Sequence, residues 1–132
     1  GMSACISPST GYSGKYGSFP IGAGYKLLED GTVAPYGALS FLPFTPQASI
    51  EALQHMYEIP GLVGKYGLYD SYSYVTKAKG NLPWIGKSYL GIDKGLVLLM
   101  FENYSTQLIW KLLHQNKSIQ KGLKRLAFRQ IN

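Results

Sequence analysis

The chain contains few of the residues on which metal and redox chemistry depend. Among 132 residues there are two histidines, one cysteine and seven acidic residues. Cys5 has no partner cysteine for an internal disulfide, and His55 and His114 lie on separate predicted helices. The sequence therefore predicts no metal site and no cofactor. Any acid–base chemistry must come from a small set of carboxylates.

Long apolar runs are also missing. No apolar stretch reaches the roughly 18 residues that a membrane span requires. The N-terminus has no basic segment followed by a hydrophobic one, so we predict neither a signal peptide nor a membrane partner. Gly1 before Met2 is typical of a residue left by tag cleavage.

Acidic residues are absent after Glu102, where the net charge of +6 is concentrated. A basic tail of this kind suits a solvated helix face, because lysines near helix C-termini meet the helix dipole favourably. A basic nucleic-acid interaction module is a third alternative for function. The basic residues of the tail are Lys111, Lys117, Lys121, Lys124, Arg125 and Arg129.

Glycine, proline and tyrosine are abundant, with 16, 7 and 11 residues. Together they predict many turns and long loops that carry aromatic side chains, which favours a binding or catalytic surface over a plain helical bundle. Apolar residues make up 45% of the chain, which argues against disorder. We predict a single domain over residues 1–132.

Loops are predicted on both sides of a short β-hairpin. Residues 1–24 show no sustained periodicity and are expected to form a loop. Asp30-Gly31 is a strong tight-turn dipeptide, so a hairpin is expected around it, ended by Pro35. Residues 61–88, rich in Tyr and Gly, are predicted to be a second long loop.

Helices are predicted for much of the rest. Thr45 is a good N-cap with Pro46 at the first helical position, so a helix should follow and end before Pro60. The apolar residues 96–101 leave no polar face. We expect them to lie in a helix capped by Asp93, enclosed in a core. Two further helices are expected. The first has Leu108, Ile109, Leu112 and Leu113 on one face, and the second makes core contacts through Ile119, Leu123 and Leu126.

Three carboxylates remain as candidates for chemistry once four in a turn or on a polar helix stripe are set aside. They are Asp70, Asp93 and Glu102. On one straight helix, Asp93 and Glu102 lie about 13.5 Å apart along the axis and on opposite faces. A catalytic pair within the chain must therefore join Asp70 to one of them, or else the partner lies outside the chain. Structural alternatives are an N-cap role for Asp93 and a buried, hydrogen-bonded Glu102.

Aromatic residues cluster around Asp70 in the sequence. Sugars stack their C–H faces on aromatic rings, so these residues could form a carbohydrate platform. The same rings could equally cover a core beneath a loop. The members of the cluster are Tyr66, Tyr69, Tyr72, Tyr74 and Trp84.

Several blocks, in order and at similar spacing, resemble the C-terminal half of the putative glucoamylase (glycoamylase-like) glycoside hydrolases of bacteria. The resemblance extends from about Ser3 to Phe128. The blocks are Asp30-Gly31-Thr32-Val33-Ala34-Pro35, Ser40-Phe41-Leu42-Pro43-Phe44-Thr45-Pro46, Gly64-Lys65-Tyr66-Gly67 with Asp70, Leu90-Gly91-Ile92-Asp93 with Gly95, Glu102-Asn103-Tyr104 and Trp110-Lys111.

This resemblance implies a mainly α fold, a partial (α/α)6 toroid with a short β-hairpin and long Tyr- and Gly-rich loops. It implies hydrolysis of glucans, with β-1,2-linked glucans favoured, by a chain that is truncated and incomplete as an enzyme. Full-length relatives are expected to be periplasmic or secreted. The implied catalytic residues are Asp70 and Glu102, and the implied substrate-binding residues are Tyr66, Tyr69, Tyr72, Trp84, Asp93 and Tyr104.

The chain also departs from the family pattern. It has Ile6 where the family tends to have an acid, and Ser73 where an amide is expected after Asp70. About twelve helices form a full toroid, and far fewer are predicted here. A non-catalytic carbohydrate-binding or structural remnant is therefore the alternative function. We also expect the exposed flanks of an incomplete toroid to be covered by self-association or by another polypeptide.

Overall fold

The computed structural model describes residues 5–8, 11–12 and 31–129. About half of these residues are helical and the strands are short, so the prediction of a mainly α chain is confirmed. In chain order the strands and helices are β1 Ile6–Ser7, β2 Gly11–Tyr12, β3 Thr32–Val33, α1 Pro35–Leu39, α2 Pro46–Glu58, β4 Val63–Gly64, β5 Gly67–Leu68, β6 Ser71–Lys77, β7 Pro83–Gly86, α3 Gly91–Thr106, α4 Leu108–Gln115 and α5 Lys117–Arg125.

A three-stranded antiparallel sheet has the order β3-β6-β7. Its register places Thr32 opposite Ser73 and Ser73 opposite Trp84. The prediction of a loop over residues 61–88 is therefore wrong, because this segment contains four strands. Long-range pairing with β3, rather than local sequence, orders β6.

The predicted hairpin around Asp30-Gly31 is described only on its second side. There β3 forms where the return strand was expected, but it pairs with β6. The first side lies outside the described residues. A different hairpin joins β4 to β5 through a turn at Lys65 and Tyr66, whose ring is exposed.

The core lies between α1, α2 and the two sheets beside them. It contains the buried side chains of Leu39, Met56, Ile59, Leu62, Leu68 and Tyr72. Helix α2 begins at Pro46 as predicted. Helix α1 was not predicted, because Pro35 was interpreted as ending a strand, whereas proline is equally suited to the first turn of a helix.

Helix α3 begins three residues earlier than predicted. Its N-cap is Leu90, so Asp93 is the third helical residue and not the cap. The expectation of a fully enclosed helix is also wrong for the described part of the chain. Asp93 and Asn103 are buried, but Leu98 is 70% exposed. The cause is that no described element packs over that face.

The two C-terminal helices form as predicted but make few core contacts. Gln107, with a left-handed φ of 60°, separates α3 from α4. The side chain of Asn116 accepts hydrogen bonds from the first turn of α5. Of the three residues expected to make core contacts, Ile119 and Leu123 are half-buried and Leu126 is exposed, so the prediction is wrong for Leu126. On α4, Leu108, Leu112 and Leu113 are exposed as well. None of the described helices is long and apolar enough to cross a membrane.

Candidate functional site

Asp70 lies between β5 and β6 and is 4% exposed. Its backbone N–H donates to the carbonyl of Ser88 at 3.1 Å, which fixes it beside the segment leading into α3. Its Oδ2 accepts the backbone N–H of Ile6 at 2.6 Å. Ser71 Oγ donates to the carbonyl of the same Ile6. Asp70 is therefore held by two segments that are distant in sequence.

Asp93 is brought to Asp70 by the first turn of α3, and it is 5% exposed. Burial raises its pKa, hydrogen bonding and charge repulsion with the Asp70 carboxyl raise it further, and Lys94 lowers it, giving a pKa of about 7. One oxygen of each carboxyl, Asp70 Oδ1 and Asp93 Oδ2, has no hydrogen-bond partner among the described residues. Buried carboxyl oxygens without a partner are rare in folded proteins, so this pair marks a candidate functional site.

Lys94, the residue after Asp93, makes two contacts beside the carboxyl pair. Its Nζ donates to the carbonyl of Leu68 at 2.6 Å. The same ammonium lies 5.5 Å from the centroid of the Tyr89 ring, a distance at which a cation is attracted to an aromatic face. Lys94 therefore connects β5, α3 and the segment that carries Tyr89.

The two carboxyls open onto a cavity of about 430 Å³, which lies within the usual range for small-molecule sites. Asp70 and Asp93 are the only carboxylates among the described residues that line it. The lining residues are Pro35, Tyr36, Leu39, Leu53, Tyr57, Gly67, Leu68, Tyr69, Asp70, Ser88, Tyr89, Leu90, Asp93, Lys94, Val97, Leu98 and Phe101.

Tyrosines form one side of the cavity. The rings of Tyr69 and Tyr89 have centroids 4.9 Å apart at an interplanar angle of 32°. Their side chains hydrogen-bond, which raises the pKa of Tyr69. Tyr66 packs edge-on against Tyr89 at 5.3 Å, and its backbone N–H donates to the Tyr89 hydroxyl at 3.3 Å. The result is a fixed aromatic surface beside two acids.

Three of the predicted site residues, Asp70, Asp93 and Tyr69, are brought together at the cavity. Tyr66 lies next to them with its ring 67% exposed. The structure thus joins Asp70 to Asp93, one of the two pairings that the sequence left open, and not to Glu102.

The remaining predicted site residues do not line this cavity. Tyr72 is part of the hydrophobic core, and burial raises its pKa. Trp84 lies on β7, opposite Ser73. Glu102 accepts a hydrogen bond from Thr106 within α3, and Tyr104 is half exposed on the same helix. Their functional roles stay predictions.

Two cavity residues were missed by sequence reasoning. Tyr89 lay outside the aromatic cluster centred on Asp70, and Lys94 was treated only as part of a motif. The signal that could have found them is the spacing to Asp93, because Tyr89 precedes it by four residues and Lys94 follows it directly. No cluster of potential metal ligands occurs in the part of the chain that the structure describes.

The putative glucoamylase family (Glycoamylase) matches residues 1–117. The chain belongs to this family. This confirms the resemblance drawn from the sequence blocks. The match covers the buried acids, the tyrosine surface and all of α3, so the cavity lies within the family region.

Relatives and solved structures extend the comparison. An exo β-1,2-glucooligosaccharide sophorohydrolase of Parabacteroides distasonis is 35% identical over 100 residues, 74% of this chain and 13% of the relative. A putative glucoamylase of Bacteroides fragilis matches with a TM-score of 0.74 and 34% identity, over 100% of this chain and 28% of that one. An endo-β-1,2-glucanase of Chitinophaga pinensis, solved with sophorotriose and glucose, matches with a TM-score of 0.70 and 36% identity, over 96% and 27%.

The chain therefore spans well under a third of the length of these relatives. It is similar over nearly its whole extent to a part of the two solved structures, and over 74% of its length to a part of the sophorohydrolase.

Proposed function

We propose that this chain supplies part of the active site of a glycoside hydrolase that acts on glucans, with β-1,2-linked glucans as substrate. The observation that carries the proposal is the buried Asp70–Asp93 carboxyl pair on a cavity bordered by tyrosines. The substrate class is supported by relatives that are named for β-1,2-linked glucans. We further propose that residues 1–132 form one part of an (α/α)6 toroid.

Asp93 is the proposed general acid. Its pKa of about 7 leaves a large fraction protonated at neutral pH, as is required of a group that protonates the departing glycosidic oxygen. Asp70 is proposed to orient Asp93, because the two carboxyls interact directly while Asp70 is itself held by the backbone of Ile6.

A further carboxylate is needed to activate water or attack the anomeric carbon. Glycosidases place their two catalytic carboxyls about 5–9.5 Å apart, whereas carboxyls in hydrogen-bonding contact are closer than that. Glu102 lies about 13.5 Å further along α3 by the rise of an α-helix, beyond that range. We therefore propose that the second catalytic carboxylate comes from polypeptide outside this chain and that Glu102 is structural.

Hydrolysis of β-1,2-glucan tests this function when the full chain is assayed together with the polypeptide proposed to supply the second carboxylate. Release of reducing sugar is measured for the wild type and for the Asp93→Asn and Asp70→Asn variants. Glu58→Gln, which changes an exposed carboxylate on α2, is the matched control. Each cavity variant is expected to lose about 100-fold in rate or more, and the control to lose nothing. Equal rates for all four proteins would contradict the proposed acid.

Carbohydrate binding without turnover is the second candidate. It is favoured by the presence of only two carboxylates, in mutual contact, among the described lining residues. This candidate predicts that sophorose binds and that Asp93→Asn weakens the binding, but that no reducing sugar is released from β-1,2-glucan in the same assay. Failure to bind any β-1,2-linked glucan would contradict both candidates.

A further inference from the structure

We propose that Tyr69 and Tyr89 form a preorganised stacking subsite for one glucosyl residue, and that Gly64 and Lys94 are positioning residues for it. The inference rests on the proposed function and adds the residues that hold the sugar. Neither Tyr89, Gly64 nor Lys94 was among the predicted site residues. Tyr69, Tyr89 and Lys94 line the cavity, and Gly64 packs directly against the ends of the two tyrosine side chains.

Gly64 is glycine because of the two rings. A Cβ added there would overlap the Tyr89 hydroxyl and the end of the Tyr69 ring, closer than real Cβ contacts occur. Gly61 and Gly67 nearby have positive φ values of 79° and 87°, and the space that a Cβ would occupy at either position is open. Those two glycines serve the backbone, whereas Gly64 has no positive φ. Its role is to leave room for both tyrosines.

Lys94 holds Tyr89 from the side of α3. Its ammonium is fixed by the carbonyl of Leu68 while it lies over the Tyr89 ring. The Tyr89 hydroxyl is held by Tyr66 N–H and by the Tyr69 side chain. A ring restrained at its hydroxyl and over its face loses little further freedom when a ligand packs on it, which is what a preorganised subsite requires.

The chemistry of this corner fits a neutral sugar. Aromatic rings pack well against the apolar C–H groups of a sugar, and the carboxyl residues Asp70 and Asp93 line the same cavity. Tyr69 directly precedes Asp70, and Tyr89 precedes Asp93 by four residues. Each ring is therefore close in sequence to one acid, and all four residues line the same cavity, so the proposed subsite lies beside the carboxyl pair.

Calorimetric titration of the full chain with sophorose, cellobiose, laminaribiose and glucose tests the subsite. We expect Tyr89→Ala and Gly64→Ala each to weaken sophorose binding by about tenfold or more, because one removes a ring and the other displaces both. Tyr89→Phe keeps the ring and is expected to weaken binding only a few-fold. Phe128→Ala, an exposed ring off the cavity, and Gly95→Ala, with open space around it, are the matched controls.

The same sophorose titration is also followed by NMR of the tyrosine ring protons in the wild type, which needs no variant. Shifts of Tyr69 and Tyr89 resonances with added sophorose support the subsite. The subsite is overturned if sophorose binds without shifting the resonances of either ring and if all three substitutions leave that binding unchanged. The proposed function would then still stand. Tyr89-dependent binding of cellobiose or laminaribiose in place of sophorose supports the subsite and contradicts the β-1,2 substrate. Binding of no saccharide overturns both.

Discussion

The Asp93 carboxyl holds its proton to about pH 7 in the folded chain, against about pH 4 for an unfolded aspartate. Between those values the folded state binds more protons than the unfolded state, so this group lowers the free energy of unfolding as pH rises from about 4 to 7. Asp93→Asn is therefore expected to stabilise the fold at about pH 8 by roughly 1–2 kcal/mol, since solvent in the cavity screens part of the cost.

Urea unfolding at about pH 5 and about pH 8 measures this effect. The wild type should lose more stability between the two conditions than Asp93→Asn does, and Glu58→Gln should behave as the wild type. An identical pH dependence in wild type and Asp93→Asn would mean that Asp93 is not the titrating group.

Asn103 links α3 to α4 through a buried side chain. It is 1% exposed, and its Oδ1 accepts the backbone N–H of Trp110 in the first turn of α4 at 3.1 Å. Asn103→Ala leaves that N–H unpartnered and is expected to cost about 1–2 kcal/mol of stability. Below about pH 4, where its carboxyl is neutral, Asn103→Asp keeps the acceptor without burying a charge and should cost less. Thermal unfolding compares the stability of the two variants. An equal loss of stability would show that the hydrogen bond to Trp110 does not account for the contribution of Asn103.

Single residues were predicted from the sequence only where a chemical requirement singled them out. Asp70 and Asp93 were found because few acids were available, and helix geometry excluded pairing Asp93 with Glu102. Tyr89 and Lys94 were not found, because their role depends on the contact between the β4–β5 hairpin and the start of α3. That contact joins residues more than twenty positions apart, and no local pattern encodes it.

At the scale of elements, the junction between α3 and α4 contains strain. Gln107 adopts a left-handed φ of 60°, which costs a non-glycine residue about 1 kcal/mol. Gln107→Gly is expected to raise the stability of the chain by about 0.5 kcal/mol, the relief being partly offset by the entropy of glycine. Gln120→Gly, within α5, should destabilise instead. Chemical unfolding that shows Gln107→Gly to be the more destabilising of the two would contradict this geometry.

Elements with strong local signals were predicted and those ordered by distant partners were not. Thr45-Pro46 located the start of α2, and the apolar run located α3 to within three residues. The strand Ser71–Lys77 was missed because its polar and aromatic composition is also typical of a loop. Its order comes from pairing with β3 and β7, and β3 lies almost forty residues earlier.

At the scale of the whole molecule, the main feature is apolar surface. Helices α3 and α4 expose Leu98, Leu99, Phe101, Leu108 and Leu112, whereas the solved relatives to which the chain is similar extend far beyond the part it covers. Exposed apolar patches of this kind are typical of interfaces. We propose that this face is covered by self-association when the chain is alone.

Light scattering at micromolar concentration measures this association. Leu98→Glu combined with Leu112→Glu is expected to shift the chain to monomer, since charge on both helices opposes apolar contact. Val75→Glu, at an exposed position on the sheet, is the control and should leave the oligomer unchanged. A monodisperse wild-type monomer would contradict the proposed association.

The most direct measurement is carbon-13 NMR of the aspartate carboxyls in the full chain, titrated with sophorose. If Asp70 and Asp93 face a bound glucan, both carboxyl resonances shift in a saturable manner and the pKa of Asp93 changes from its value of about 7. Exposed carboxylates such as Glu58 stay unchanged. Sophorose that binds without moving either aspartate, or that does not bind, would show that this pair of acids does not belong to a glucan site.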